Sequence, residues 1–197
     1  MLIVTSQETM DLSGQGSERL IASLNEIFKS LYDRFEIVQE VLIDGVSFRE
    51  GYNEFLLENL NNIKRVEIKT VHADILAKEI LEELRNYLPR LIRACDSISD
   101  LFYGEMKQEH WTYFSQLSEG IEWVCQSTYT LRHHLERVGT HPQLSAALTN
   151  FEAIIKEQLT QLVTELQNGD YTAIGDRIKY ELPEMFQLLL NHLSSEG

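Results

Sequence analysis

The chain is poor in the residues that mark several functional classes. Its 197 residues include two cysteines and three prolines, too few thiols for the disulfide framework of a secreted domain. Cys95 and Cys125 fall in apolar helical patterns, so we expect reduced core thiols and a cytoplasmic location. No run approaches the roughly 18 apolar residues of a membrane-spanning helix. The start, MLIVTSQETMD, becomes polar too early for a signal peptide.

Positive charge is also scarce. Seventeen Lys and Arg residues stand against 31 Asp and Glu, a formal net charge of -14. Nucleic-acid binding draws its affinity from clustered cations that displace counterions from phosphates, and no such cluster occurs in this sequence. Anionic membrane surfaces are disfavoured for the same electrostatic reason. We therefore expect neither nucleic acid nor a membrane as a partner.

Metal and cofactor motifs are missing as well. A di-metal helical bundle needs Glu-x-x-His pairs, which place two ligands on one helix face. None of the six histidines has a carboxylate three residues before it, and no two are four residues apart. The glycines at 14 and 16 lack the preceding long strand and the third glycine of a dinucleotide-binding loop. The sequence predicts no cofactor and no metal.

Two weaker chemical alternatives stay open. One is a metal site of three histidines, built from His110, His133 or His134, and His141. The other is a Cys125 nucleophile, although its mid-helix position does not favour a thiolate. We expect solvated or hydrogen-bonded histidines and a core thiol instead.

The first 70 residues mix helical and strand patterns. Apolar residues recur at steps of three and four from Leu20 to Phe35, with Ser17 as the expected N-cap. Residues 2–5 suggest a short strand. Asp44-Gly45 lies between two apolar runs, which is a strong hairpin signal because both residues tolerate positive φ.

A helix and a strand follow the hairpin. Ser47 and Glu50 suggest a capping box, from which a helix is predicted to run to about Asn62. The RVEIKT segment at 65–70 alternates apolar and charged residues, as a half-buried strand does. Residues 1–70 therefore predict a small α+β segment with a β-hairpin and one further strand.

From residue 71 onward the periodicity is helical. One stripe runs from Ala73 to Phe102 and contains Pro89, which should kink the helix. A second runs from Trp111 to Val138, before Gly139. Each apolar stripe must be buried against another.

Two further stripes complete the pattern. Thr140 and Gln143 suggest a capping box around Pro142 for a helix that closes at Asn168-Gly169. Asp170 is the expected N-cap of the last helix, which Pro183 should kink. Because the connections are short, we predict an antiparallel four-helix bundle with kinked helices over 71–197, which could share one core with residues 1–70.

Several segments carry a family resemblance. FY at 102–103, W-x-x-F at 111–114, EGIEW at 119–123 and GDYTAIGDRIKYELPEMF at 169–186 resemble patterns in a family of small acidic bacterial proteins of unknown function. The resemblance implies a mainly helical fold and a bacterial origin. It implies no activity.

An aromatic cluster marks the most plausible surface for binding. The candidate partner patch comprises Phe102, Tyr103, Trp111 and Tyr113, since aromatic residues often anchor protein interfaces. We favour a non-enzymatic interaction protein of the adaptor or chaperone kind that binds another protein, with a homo-oligomer left open. The alternative is an enzyme or small-molecule sensor with a pocket between bundle helices near Trp111, Trp123 and His133 or His134.

Overall fold

The computed structural model describes residues 1–60 and 62–195. It contains two compact units, Met1–Leu76 and Ala77–Gly197. The first unit holds five strands and two helices, in the order β1 (Leu2–Val4), β2 (Thr9–Asp11), α1 (Ser17–Asp33), β3 (Glu36–Ile43), β4 (Val46–Phe48), α2 (Tyr52–Asn59) and β5 (Arg65–His72). Whether the two units fold independently or share one core stays a prediction.

The five strands form one sheet in the order β2-β1-β5-β3-β4, with β1 parallel to β5 and the other pairs antiparallel. The hairpin predicted at Asp44-Gly45 is confirmed: Ile43 lies opposite Val46, and φ is 47° at Asp44 and 86° at Gly45. The predicted RVEIKT strand is the centre of the sheet. The sheet is larger than predicted, because β2 is a short polar strand without an apolar alternation to reveal it.

One face of the sheet is buried and the other is charged. Val41, Val66 and Ile68 on the inner face belong to one buried cluster with α1 and α2 residues such as Leu31 and Leu56. On the outer face, cations pair with carboxylates: Lys69 Nζ lies 2.6 Å from Glu40 and Arg65 Nε 2.7 Å from Glu67. This arrangement follows from the period-2 alternation of β3 and β5.

Two predicted caps in this unit are wrong. Ser47 belongs to β4, where its hydroxyl donates to Glu40 at 2.5 Å. The residue before α2 is instead Gly51, whose φ of 67° is left-handed, and α2 ends at Asn59 rather than Asn62. Ser17 is the first residue of α1 and Gly16 its N-cap.

The second unit is a bundle of long helices. Its elements are α3 (Ala73–Phe102, which begins at the end of the first unit), α4 (Gln108–Val138), α5 (Pro142–Asn168), α6 (Tyr171–Asp176), a π-helical segment (Arg177–Glu181) and α7 (Leu182–Ser194). Of the described helices, none is both long and apolar enough to cross a membrane.

Side-chain contacts show that neighbouring helices run antiparallel. Tyr87 of α3 meets Trp123 of α4, while Phe102 meets Trp111. In the same way, α5 meets the last helical segments through Glu165 with Arg177 and through Phe151 with Phe186. The contacts of α3 with those segments join Asp100 to Lys179 and Arg85 to the Leu193 carbonyl. Arg132 bonds Glu152 across α4 and α5. The predicted fold class, a mainly α chain whose C-terminal four-helix bundle follows a small α+β segment, is confirmed.

The helix ends between α4 and α5 differ in part from the prediction. Gly139 has the expected left-handed conformation, with φ 71°, and caps α4. The capping box at Thr140 and Gln143 is wrong: the Thr140 amide bonds the Leu135 carbonyl at the end of α4. His141 precedes α5 instead, with φ 50° and no side-chain cap bond. Thr140 is thus already used by the preceding helix.

The fourth rod combines α6, the π-helical segment and α7. Its predicted N-cap is confirmed, since the Asp170 carboxylate accepts the Ala173 amide at 3.1 Å. Pro183 cannot donate a backbone hydrogen bond to the preceding turn, and the helix widens into a π-helical segment just before it. By contrast, α3 continues through Pro89 as one helix.

Candidate interaction surface

Phe102, the last residue of α3, is the buried member of the predicted aromatic patch. Its side chain is 2% exposed. The ring meets Trp111 edge-on at a centroid distance of 6.0 Å and Phe114 at 5.4 Å. Edge-to-face packing of this kind stabilises the junction beyond the area it buries. Phe102 therefore positions its neighbours but is not available to a partner itself.

Tyr171, the first residue of α6, completes this cluster. Its ring centroid lies 6.0 Å from Trp111 and 6.5 Å from Phe102, and 40% of the residue is exposed. The sequence does not reveal that Tyr171 belongs to this cluster, because Tyr171 is far along the chain from Phe102. The rings of Phe102 and Tyr171 come together because the start of α6 lies beside the connection between α3 and α4.

Tyr103 lies beside the cluster, against α6. A β-carbon at Gly175 would stand 3.1 Å from the Tyr103 ring carbons, so the absence of a side chain at residue 175 lets the ring pack on the helix. The Tyr103 hydroxyl donates to Asp176 Oδ1 at 2.7 Å. Lys179 Nζ lies 5.7 Å from the ring centroid and 2.7 Å from Asp100. Tyr103 is held at three points while 45% of it stays exposed.

The surroundings of Tyr103 further favour its neutral form. The hydrogen bond to Asp176 is the largest cause that raises the pKa of the Tyr103 hydroxyl to about 12, followed by desolvation and by repulsion from Asp176. The hydrogen bond to Asp100 likewise raises the pKa of Lys179. At neutral pH the surface therefore presents an uncharged phenol beside a cation.

The structure separates Tyr113 from this group. Tyr113 is 50% exposed, but it follows Trp111 by two residues in α4, which turns it about 200° around the helix axis. We define the aromatic surface as the exposed parts of Tyr103, Trp111 and Tyr171. Whether this surface or Tyr113 binds a partner stays a prediction.

The residues of the alternative pocket lie apart on one helix. Because α4 is continuous from Gln108 to Val138, Trp111 and His133 are about 33 Å apart along its axis. Trp123 packs on Tyr87 at a centroid distance of 4.9 Å, and His133 packs on Tyr129 at 5.2 Å. The structure does not bring Trp111, Trp123 and His133 to one cavity.

The proposed metal ligands are separated in the same way. His110 lies in the first turn of α4, where its Nδ1 accepts the Lys107 amide at 3.3 Å, about 34 Å along the helix from His133. Across residues 1–60 and 62–195, no group of three or more His, Cys, Asp or Glu side chains is placed to hold a metal ion.

Both thiols are in surroundings that disfavour the thiolate. Burial raises the pKa of Cys95 to about 12. Burial also raises the pKa of Cys125, with a smaller contribution from the nearby carboxylates of Glu152 and Glu122. Both thiols therefore stay protonated at neutral pH, the opposite of what an activated nucleophile requires.

Comparison with protein families places the helical bundle in a family of unknown function. A family model described as a domain of unknown function (DUF8042) matches residues 79–192, which span the bundle from the second turn of α3 to near the end of α7. No curated protein and no solved structure matches the chain. The expected resemblance to a family of unknown function is confirmed, while a bacterial origin stays an expectation.

Proposed function

This chain belongs to the DUF8042 family, which has no assigned activity, and we propose that it is a non-enzymatic adaptor that binds another protein through its aromatic surface. The observation that carries the proposal is the placement of Tyr103. Its ring is 45% exposed, yet it is fixed by Gly175, Asp176 and Lys179.

Fixed aromatic side chains suit protein binding for two reasons. Tyr and Trp dominate the energetics of many interfaces because each combines a large apolar area with a polar group. A side chain already held in one conformation also loses little entropy when a partner covers it. Tyr103, Trp111 and Tyr171 combine both properties at one end of the bundle.

Other features favour binding over catalysis. The raised pKa values of Cys95 and Cys125 argue against a thiolate mechanism. Histidines such as His110 and His133 are engaged locally, with Lys107 and Tyr129 respectively. The two cysteines are unpaired, which supports a cytoplasmic location for the proposed complex.

The proposal can be tested by comparing variants in quantitative affinity purification. The 197-residue chain would be immobilised, and the proteins that stay bound to it would be identified by mass spectrometry. The native chain, Tyr103→Ala and Tyr171→Ala would be compared in parallel. We expect one or a few proteins to be retained by the native chain and reduced at least about tenfold by each substitution, the scale of an interface hot spot.

The matched control is Tyr129→Ala. Tyr129 is 52% exposed and also lies in the bundle, but about 27 Å along α4 from Trp111. It should retain the bound proteins, and circular dichroism should show that all variants are folded. Tyr113→Ala tests whether the surface extends around α4. An unchanged set of bound proteins with folded Tyr103→Ala and Tyr171→Ala would refute the proposal.

A further inference from the structure

A groove runs along the fourth rod, between α5 and α7. Its floor is apolar and buried, formed by Phe151, Met185 and Leu189. Leu188 is 52% exposed at its edge. We call this feature the α5–α7 groove; its limits are Ala147 and Gln158 on α5, Glu181 at the end of the π-helical segment and His192 on α7.

The dimensions of the groove suit a helix with inserted side chains. Each wall spans eleven residue steps of an α-helix, so the groove is about 16 Å long, or about three helical turns. Its volume of about 180 Å³ is below the roughly 300 Å³ of typical small-molecule sites. A few apolar side chains at i, i+3 and i+7 of one helix would fill it.

The charged residues that line the groove are acidic. Glu181 and Glu184 are exposed on its rim, and of the described lining residues none is Lys or Arg. Arg177 lies close enough to attract the charge of Glu181, but its hydrogen bonds go to other residues. Its guanidinium is held by Glu165 at 2.5 Å and by the Gln158 side chain.

We propose that the α5–α7 groove binds a cationic amphipathic helix of another protein. The apolar face of that helix would cover Phe151, Met185 and Leu189, and a Lys or Arg near one end would lie beside Glu181 and Glu184. Complementary charge would fix the direction of the bound helix and speed its association. The aromatic surface takes no part in this second binding mode.

The test uses synthetic helical peptides of about 15 residues, long enough for partial helicity in solution. One peptide has leucines at i, i+3, i+7 and i+10 with lysines on its other face. A second has the same composition in scrambled order, and a third replaces lysine with glutamate. Binding to the full-length chain would be measured by fluorescence anisotropy at about 0.15 M salt, where distant charges are screened.

We expect saturable binding of the leucine–lysine peptide only. Leu188→Glu should weaken it at least about tenfold, and Glu181→Gln/Glu184→Gln by about three- to tenfold. The matched control Glu119→Gln/Glu122→Gln removes two exposed charges from α4 and should change affinity less than about twofold. Tyr103→Ala should have no effect.

Several results would overturn the proposal. Equal binding of the scrambled peptide, or equal weakening by the α4 control, would show a general attraction to an acidic protein. Equal binding of the glutamate peptide would remove the role of charge. An unchanged affinity of folded Leu188→Glu would place the peptide elsewhere. Self-association of the free chain that Leu188→Glu abolishes would assign the groove to a second copy of this protein.

Discussion

The hydroxyl of Tyr87 on α3 lies against Gly120 of α4, so closely that a β-carbon at residue 120 would overlap it. The Tyr87 ring cannot easily turn away. Trp123 packs edge-on against it at 4.9 Å, and the Arg90 guanidinium lies 5.3 Å from its centroid. The packing of the Tyr87 side chain against α4 thus depends on the missing side chain at Gly120.

Gly120→Ala should therefore destabilise the bundle by about 1–3 kcal/mol through overpacking, although alanine favours a helix over glycine by about 1 kcal/mol. In a Tyr87→Phe background the cost should be smaller, because the hydroxyl is gone and Cζ would lie 3.4 Å from the new carbon. Urea unfolding of the four proteins measures the coupling, expected above about 0.5 kcal/mol. Equal costs in both backgrounds would contradict this explanation.

Asp44 joins the hairpin turn to the start of β5. Its carboxylate accepts the Lys64 amide at 3.0 Å and the Arg65 amide at 2.7 Å. Asp44→Ala should cost about 1–3 kcal/mol, since two backbone donors lose their acceptor and φ is positive at this residue. Asp44→Asn should cost less, because the amide oxygen still accepts and Asn tolerates this conformation. Thermal unfolding measures both, with Glu58→Ala, which removes an exposed carboxylate of α2, as the control.

Glu40 should make the first unit sensitive to acid. Hydrogen bonds from Lys69 and then from Ser47 lower the pKa of this carboxyl from 4.5. A lowered pKa in the folded state means that the stabilisation is present above pH 4.5 and is lost as pH falls through the folded-state value. The melting temperature of the native chain should exceed that of Glu40→Gln at pH 7, and the difference should shrink by pH 3. A constant difference would exclude this linkage.

The two cysteines should differ in reactivity. With its pKa raised to about 12 by burial, Cys95 should react with iodoacetamide at pH 8 only as fast as the bundle unfolds. Cys125 is partly exposed, so it should react sooner, although more slowly than free cysteine because burial raises its pKa. A mass-spectrometric time course, repeated in urea, separates the two sites. Equal native-state rates at Cys95 and Cys125 would show that the helices open more readily than this packing implies.

Much of the fold is predictable because its signals are local. A stripe at helical spacing must be buried, which is enough to predict four antiparallel rods. Gly139 and Gly169 have φ of 71° and 68°, as helix C-caps with no β-carbon commonly do. The Asp44-Gly45 hairpin and the Asp170 cap are equally local, since each depends on residues adjacent in the chain.

Competition for the same residue explains the wrong capping boxes. Thr140 and Ser47 both have suitable side chains for an N-cap, but Thr140 is held in the C-terminal turn of α4 by its amide, which leaves the N-cap position of α5 to His141, and Ser47 is part of β4. A sequence pattern shows what a residue can do in one element. It does not show which of two neighbouring elements will include that residue.

The sequence by itself determined the helical periods, the turns and the acidic charge, because these depend on residues close along the chain or on their sum. Only the tertiary structure decided which aromatic rings meet. It placed Tyr171 against Trp111, buried Phe102 and turned Tyr113 away from Trp111. The physical reason is that contacts between distant residues depend on how the rods cross, and helical spacing specifies a buried face without specifying its neighbour.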